Sequence, residues 1–342
     1  MEFLEIDGSF GEGGGQIVRT AITLSCILHK PVIVKNIRKG RKNPGLKPQH
    51  LMALKILEKV CSAKVDHVKI GATDLKFIPG EVISIDLEED VGTAGSIALI
   101  IQVLIPVVAI CKKKLKLIIK GGTNVLWSPT IDYSMIVLKE LYSRMGIDFS
   151  LNVIKRGYFP KGGGIVELEI FPCKQINPII LDKRSTKNVK LICSYSKLPS
   201  ELISNKVELI EKKLIENNFI VDTKIKEEHT LDSGASLLIS SIDKNSIIGI
   251  DSLFNLKQNK FDLDLDKFTH ANHSVDEHLA DMLVLPASLA NGMTVFQVDK
   301  ISKHLETNLF VASKITGCKY GIGKLHDGFE VRIEGISYPS VK

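Results

Sequence analysis

At 342 residues with 44% hydrophobic side chains, the chain can bury a substantial core, and one large domain with a smaller companion is expected. Its longest apolar run, 97–111, is interrupted by Gln102 and Pro106 and is too short for a bilayer, and MEFLEIDGSFGEGGG lacks a basic-then-apolar leader, which argues against membrane anchoring and secretion. Six scattered cysteines without a CxxC read as reduced thiols of a cytoplasmic protein, and a formal net charge of +6 is compatible with a polyanionic partner.

In chain order the elements repeat. A strand over 3–6 enters the glycine-rich turn GSFGEGGGQ, followed by a helix over 16–28 and a strand over 32–37. A second helix over 48–60 then precedes strands near 64–70 and 74–78. The same succession of helix, strand, helix, strand, strand returns at 96–111, 115–120, 128–145, 148–154 and 164–171. It returns again through 274–290, 293–301, 303–316, 319–324 and 328–333. Register agrees, since Gln102 stands four residues before Pro106 and Met282 four before Pro286.

Residues 185–268 differ in texture. A strand over 189–194, a helix with the stripe Ile203, Val207, Ile210 and Leu214, and strands over 219–226, 236–242 and 246–250 suffice for a small α/β domain. Its tail, NLKQNKFDLDLDKF, reads either as a linker or as a poor helix. The predicted organisation is 1–184 for the first two repeats, 185–268 for the insert and 269–342 for the third repeat.

Several stretches could carry chemistry. The turn at 8–16 resembles neither a Walker loop nor a dinucleotide fingerprint, yet it would let backbone N–H groups approach phosphate. If the helix begins inside this turn, Glu12, Gln16 and Arg19 share one face, a set suited to a metal-bound triphosphate; a structural turn with a wet face fits as well. The loop KNIRKGRKNPGLKPQH carries Arg38 and Arg41, either phosphate clamps or members of a solvated basic loop. Ser302 is a predicted N-cap, which places His304 in the first turn of a helix, where the dipole favours neutral imidazole able to attack phosphorus. His50 occupies the matching place in the first repeat, so spacing leaves two candidate nucleophiles.

In the third repeat, Ser274 and Glu277 form a predicted capping box. His278, Asp281 and Met282 then share a helical face that suits either a purine pocket or an ordinary helix surface. Trp127, in GGTNVLWSPT, could stack on a base or pack at the edge of an element. No HExxH or cysteine pair supports a zinc enzyme; magnesium held by one carboxylate and phosphates is the metal the pattern permits.

The blocks GSFGEGGGQIVRTA, IRKGRKNPGLKPQH, GGTNVLWSPTIDY, RGYFPKGGG, VDEHLADMLVLPASLA and SKHLETN, in this order, resemble those of the RNA 3′-terminal phosphate cyclases over nearly the whole chain. The resemblance implies an α/β (α+β) fold of three repeats, each a four-stranded sheet backed by two helices, plus a small inserted α/β domain. It implies ATP-dependent, ligase-type conversion of an RNA 3′-phosphate to a 2′,3′-cyclic phosphodiester, through a histidine–AMP intermediate and RNA(3′)pp(5′)A. By block matching His304 is the nucleophile, Glu12 holds Mg²⁺ or Mn²⁺, and Gln16 and Arg19 contact the nucleotide. Gln102, Pro129, His278, Leu279, Ala280, Asp281 and Met282 surround adenosine, while Arg38, Arg41, Gln49 and His50 line the phosphate and RNA-end pocket. A cytoplasmic enzyme acting on RNA with a 3′-phosphate end follows, with no membrane, no obligate protein partner and a homodimer allowed.

Two departures stand out. Met282 replaces the family's usual glutamine, and the segment before that helix is shorter than the family's charged helix. An inactive cyclase-like ribosome-assembly factor and an enolpyruvyl-type transferase are the competing readings. Retention of His304, Glu12 and the arginines argues against the first, and the second needs no histidine nucleophile.

Overall fold

The computed structural model describes residues 2–66 and 68–338. In the first sheet Leu4–Asp7 runs parallel to Val32–Lys35, Leu75–Ile78 joins antiparallel, and Lys64–Asp66 closes the edge. A parallel pair needs a crossover, which the Gly15–Leu28 helix supplies. The second sheet has the same order, Ile85–Asp90, Leu115–Gly121, Gly164–Ile170 and Phe149–Lys155. Its leading strand was not expected, because IDLEED is acidic and poor in strand formers. Pairing with Leu115–Gly121, whose alternate residues are buried, holds it in place.

The third sheet pairs Met293–Val298 with Phe329–Glu334 and that strand with Lys319–Lys324. Ile180 bridges Val295 in parallel, so the position held by Leu4–Asp7 in the first sheet is filled from ahead of the insert. The fold is therefore a mixed α/β architecture built on one repeated strand order.

Helices from all three repeats meet in the interior. Gly15–Leu28 packs on both Ile97–Ile110 and Lys303–Thr316, and Lys303–Thr316 packs on Glu277–Leu289. The Ile97–Ile110 helix is apolar around nearly its whole circumference, which only a central position tolerates. One hydrophobic core consequently spans the three repeats. The expected 128–145 helix starts later: Ile131–Tyr133, π-helical Ser134–Leu138 and Lys139–Arg144 follow one another, after Thr130 accepts a capping bond from Tyr133 N at 3.3 Å. Ser128 and Pro129 remain in the preceding turn.

The insert has a core of its own. Asn188–Ser196 lies between parallel Ile220–Glu227 and antiparallel Gly234–Ile242, with Ile247–Asn255 beyond, and the Ser200–Glu216 helix buries Ile203, Val207 and Leu214. Its polar tail, expected as a linker or a poor helix, forms the two-residue strand Lys260–Phe261 and then a short helix, Leu265–Thr269, capped by Asp264. No helix among the described residues is long and apolar enough to cross a membrane, and the six cysteines are free thiols, five of them buried.

Polar contacts fasten the insert to the second repeat. Arg156 forks onto Asp132 at 2.6 and 2.7 Å and reaches Glu228 at 3.2 Å, with Arg156 and Asp132 side chains both 8% exposed. Removing one partner strands the other's charge in the interior. Asp132→Ala is expected to cost about 3–5 kcal/mol in urea unfolding; a loss below about 1 kcal/mol would mean that this clamp adds nothing.

Candidate active site

The centre of the site is where the first and third repeats meet. Ser302 caps the Lys303–Thr316 helix by accepting from Leu305 N at 3.0 Å, so His304 sits in its first turn as the spacing predicts. His304 Nδ1 lies 2.5 Å from Gln16 Oε1, which belongs to the first turn of Gly15–Leu28. A carbonyl oxygen accepts only, so Nδ1 carries the proton and donates, leaving the Nε2 lone pair free. The side chain is 45% exposed, so that lone pair is reachable from solvent.

Glu12 arrives by a different route from the one expected. The helix begins at Gly15, and Glu12 lies before it, in a turn where Gly11 and Gly13 take positive φ of 57° and 60°. Glu12 N donates to Thr307 Oγ1 at 3.2 Å, and Thr307 Oγ1 donates to Lys303 O at 2.6 Å, which ties the turn to the His304 helix. Its carboxylate touches the Arg41 guanidinium and stands 3.7 Å from His304 Nε2. A Cβ on Gly15 would collide with the buried His50 ring, so close approach demands glycine there, whereas one on Gly14 would meet only the movable end of the Glu12 carboxylate.

His50 and His304 both stand in the first turn of a helix, three residues after Lys47 and two after Ser302, but in different environments. His50 Nδ1 accepts from Lys47 N at 3.1 Å, so its lone pair is engaged and its Nε2 bears hydrogen. Only 3% of the residue is exposed. Burial first, then Arg19, Arg38 and Lys47, pull its pKa down to about 3. Burial, then Arg19, Arg41 and His278, hold His304 below the ordinary histidine value, with Glu277 acting the other way. Both rings are kept neutral, and only His304 offers an accessible lone pair.

Arg19 is itself perturbed. Loss of water brings its pKa down to about 10, while Asp281 pulls it back up. Arg38, in the left-handed region at φ 55°, gives Nη1 to Asn43 O (2.9 Å) and Gly45 O (3.2 Å), bracing its own loop beside His50. Gln49 lies in the first turn of Pro48–Cys61, one residue before His50.

The expected adenosine residues are partly gathered. Gln102 Nε2 lies 3.7 Å from Met282 Sδ, and Asn308 Nδ2 donates to Asp281 O at 2.9 Å. Burial, then Glu277 and Asp276, drive the Asp281 carboxyl well above the usual range. Its Oδ1 finds no hydrogen-bond partner among the described residues. Leu279 and Ala280 turn their side chains into the core. His278 is exposed and borders a cavity of about 160 Å³ shared with Gly249, Asp251 and His273. Buried Pro129 stands next to this region, because Thr130 N donates to Asp251 Oδ2 at 2.6 Å.

The cap of this helix corrects the expectation. Asp276, not Ser274, accepts from His278 N and Leu279 N, both at 3.0 Å. Ser274 Oγ instead exchanges bonds with the Gln297 backbone, at 3.1 and 2.7 Å. Sequence reasoning passed over Asp276, whose position before EHLAD was a capping signal, and Tyr133, whose hydroxyl donates to Asp276 Oδ1 at 2.7 Å. It also passed over Thr307 and Asn308; Asn308 Oδ1 accepts from Thr20 Oγ1 at 2.8 Å.

The packed helices thus bring two neutral imidazoles together with Arg19, Arg38 and Arg41. The family described as RNA 3′-terminal phosphate cyclase matches residues 10–322, and the chain belongs to that family. It is 37% identical to RNA 3′-terminal phosphate cyclase of Methanosarcina barkeri over 333 residues, covering 96% of this chain and 99% of the relative. It is also 37% identical to the protein of that name from Methanococcoides burtonii, over 97% of this chain and 100% of the relative. With that of Nostoc punctiforme it shares 33% identity over 90% and 92% of the two chains.

The depressed pKa of His50 gives a stability test. The unfolded chain takes up this proton near 6.5 and the folded one only near 3, so the unfolded state binds more protons between these values. Stability is fully present above 6.5 and falls by roughly 1.4 kcal/mol per pH unit below it, through this residue alone. His50→Gln keeps an acceptor for Lys47 N and is expected to flatten the melting temperature against pH in that window; an unchanged slope would contradict the burial argument.

Proposed function

We propose that this chain uses ATP to convert the 3′-phosphate of RNA into a 2′,3′-cyclic phosphodiester by way of AMP bound covalently to His304. The observation that carries this reading is the His304 ring, with Nδ1 held by Gln16 and a free Nε2 lone pair among cationic groups. In the first step that lone pair attacks the α-phosphorus of ATP, an N–P bond forms, and the P–O bond to pyrophosphate breaks. In the second, an oxygen of the RNA 3′-phosphate attacks the same phosphorus and the N–P bond returns its electrons to Nε2. In the third, the adjacent 2′-hydroxyl attacks the activated 3′-phosphorus, loses its proton and expels AMP.

The surrounding side chains suit charge that moves but is not created. Arg19 and Arg41 flank the nucleophile and offset charge on the transferred phosphoryl oxygens, while His50, buried and neutral, braces the start of its own helix through Lys47 N. No cluster of three histidine, cysteine, aspartate or glutamate side chains that could hold a metal occurs among the described residues. A magnesium or manganese ion would therefore rest on Glu12 and the triphosphate, a mode these hard cations accept, and when bound it would neutralise phosphate charge. Asp281, with its orphaned Oδ1, suits recognition of a nucleobase amine beside His278.

Incubation with α-labelled ATP and a divalent cation, followed by a denaturing gel, tests the first step. An acid-labile labelled protein is expected from the wild type and from His50→Ala, and none from His304→Ala. Absence of label in the wild type would reject the enzyme in favour of a non-catalytic RNA-binding relative. Gln16→Ala is expected to slow labelling by about a hundredfold, the effect of misplacing a reacting group by about 1 Å. An unaltered rate would remove Gln16 from this role.

A further inference from the structure

Trp127 presents a problem of packing. It is the only tryptophan in the chain, and it is 95% exposed. It also occupies the left-handed region at φ 61°, which a bulky residue enters at a cost. Packing at the edge of an element is thus ruled out. A loose loop is ruled out too, because the segment is firmly held. Thr123 N and Asn124 N both donate to Gly157 O, at 3.0 and 3.2 Å. Asn124 Nδ2 donates to Ser236 Oγ at 2.9 Å, and Ser96 Oγ donates to Ser128 Oγ at 2.9 Å. A rigid loop displays a large ring to solvent.

The ring has company. Leu126 is 58% exposed, and Phe159, on the loop that bonds to Thr123 and Asn124, is 67% exposed. Lys161, two residues further on, keeps a side chain that is 67% exposed, with its Nζ at the long distance of 3.8 Å from Asp232 Oδ1. This surface is also continuous with the phosphate pocket. Ala94 fills the space beside Gly122 and Gly162, and the adjoining Gly95 faces Gln49 N, with 3.7 Å from a Cβ built there. Gln49 is followed directly by His50. The glycine loops therefore form a shelf leading away from the cationic groups around His50 and His304.

We infer that single-stranded RNA lies along this shelf on its way to the reacting end, with a base upstream of the 3′-phosphate stacked on Trp127. The inference rests on the proposed cyclase reading and names how that site takes its polymer. A flat exposed ring accepts any base, lysine meets the backbone charge, and glycines let the strand come close. The shelf joins a pocket already rich in arginine, which favours a polyanion over an apolar protein surface.

Because Trp127 is the sole tryptophan, its emission is a direct probe in the unmodified chain. Titration with a ten-nucleotide single-stranded RNA bearing a 3′-phosphate is expected to quench most of the emission. Trp127→Ala is expected to raise the KM for that RNA by about tenfold, as loss of one stacked base does. Trp127→Phe should restore KM to within about threefold, since a ring still stacks. Formation of labelled protein from ATP alone should match the parent. Quenching without any labelled protein or cyclic product would support the shelf while removing the cyclase reading. Cyclic product with neither quenching nor a KM change in Trp127→Ala would overturn the shelf. Loss of ATP labelling in that variant, or self-association that depends on Trp127 and ignores RNA, would overturn it as well.

Discussion

The hydrogen bond between His304 Nδ1 and Gln16 Oε1 does two things at once. It joins the first turns of helices from the third and first repeats, and it sets which nitrogen of the imidazole carries the lone pair. Neither effect is available within one repeat. The packing of Gly15–Leu28 on Lys303–Thr316 brings the two groups together, and the Glu12–Thr307 bond extends the seam to the carboxylate. The tautomer of His304 and the approach of Glu12 to its ring both depend on that seam.

A repeated architecture offers the same location more than once and lets environment assign different duties. His50 and His304 both stand in the first turn of a helix, yet one is sealed with its lone pair on Lys47 N and the other is open. Burial is the first cause of neutrality in both rings, and one set of charges adds to it, with Arg19 acting on both, Arg38 on His50 and Arg41 on His304. Glu12 offsets part of this positive charge through its contact with Arg41, and the remaining charge suits a phosphate-rich substrate.

The insert follows a different logic. It has a core of its own, and it is attached both by apolar packing, with Leu238 and Ile247 reaching into the main core, and by polar contacts: Arg156 with Glu228, Thr130 with Asp251, and Gly249 N with Asp276 Oδ2 at 2.8 Å. Asp276 is shared between this attachment and the cap of the helix that bears His278 and Asp281. The position of the insert is thereby coupled to the helix beside the expected base site.

What local physics dictates was legible in the residues. Apolar periodicity marked the central helices and the alternating strands, the serine before KHLE marked a cap, and the six blocks marked the family. The acidic strand Ile85–Asp90 was missed because only its neighbour makes it a strand, and Ser274 was preferred to Asp276 because the competing bond to Gln297 spans distant sequence. Sequence spacing could not choose between His50 and His304, since both fall in the first turn of a helix. Tertiary structure separated them through burial and through partners, 288 residues away for His304 and three for His50, whose lone pair is already taken. Helices and caps are decided by neighbours along the chain, whereas tautomer, exposure and charge balance are decided by neighbours in space.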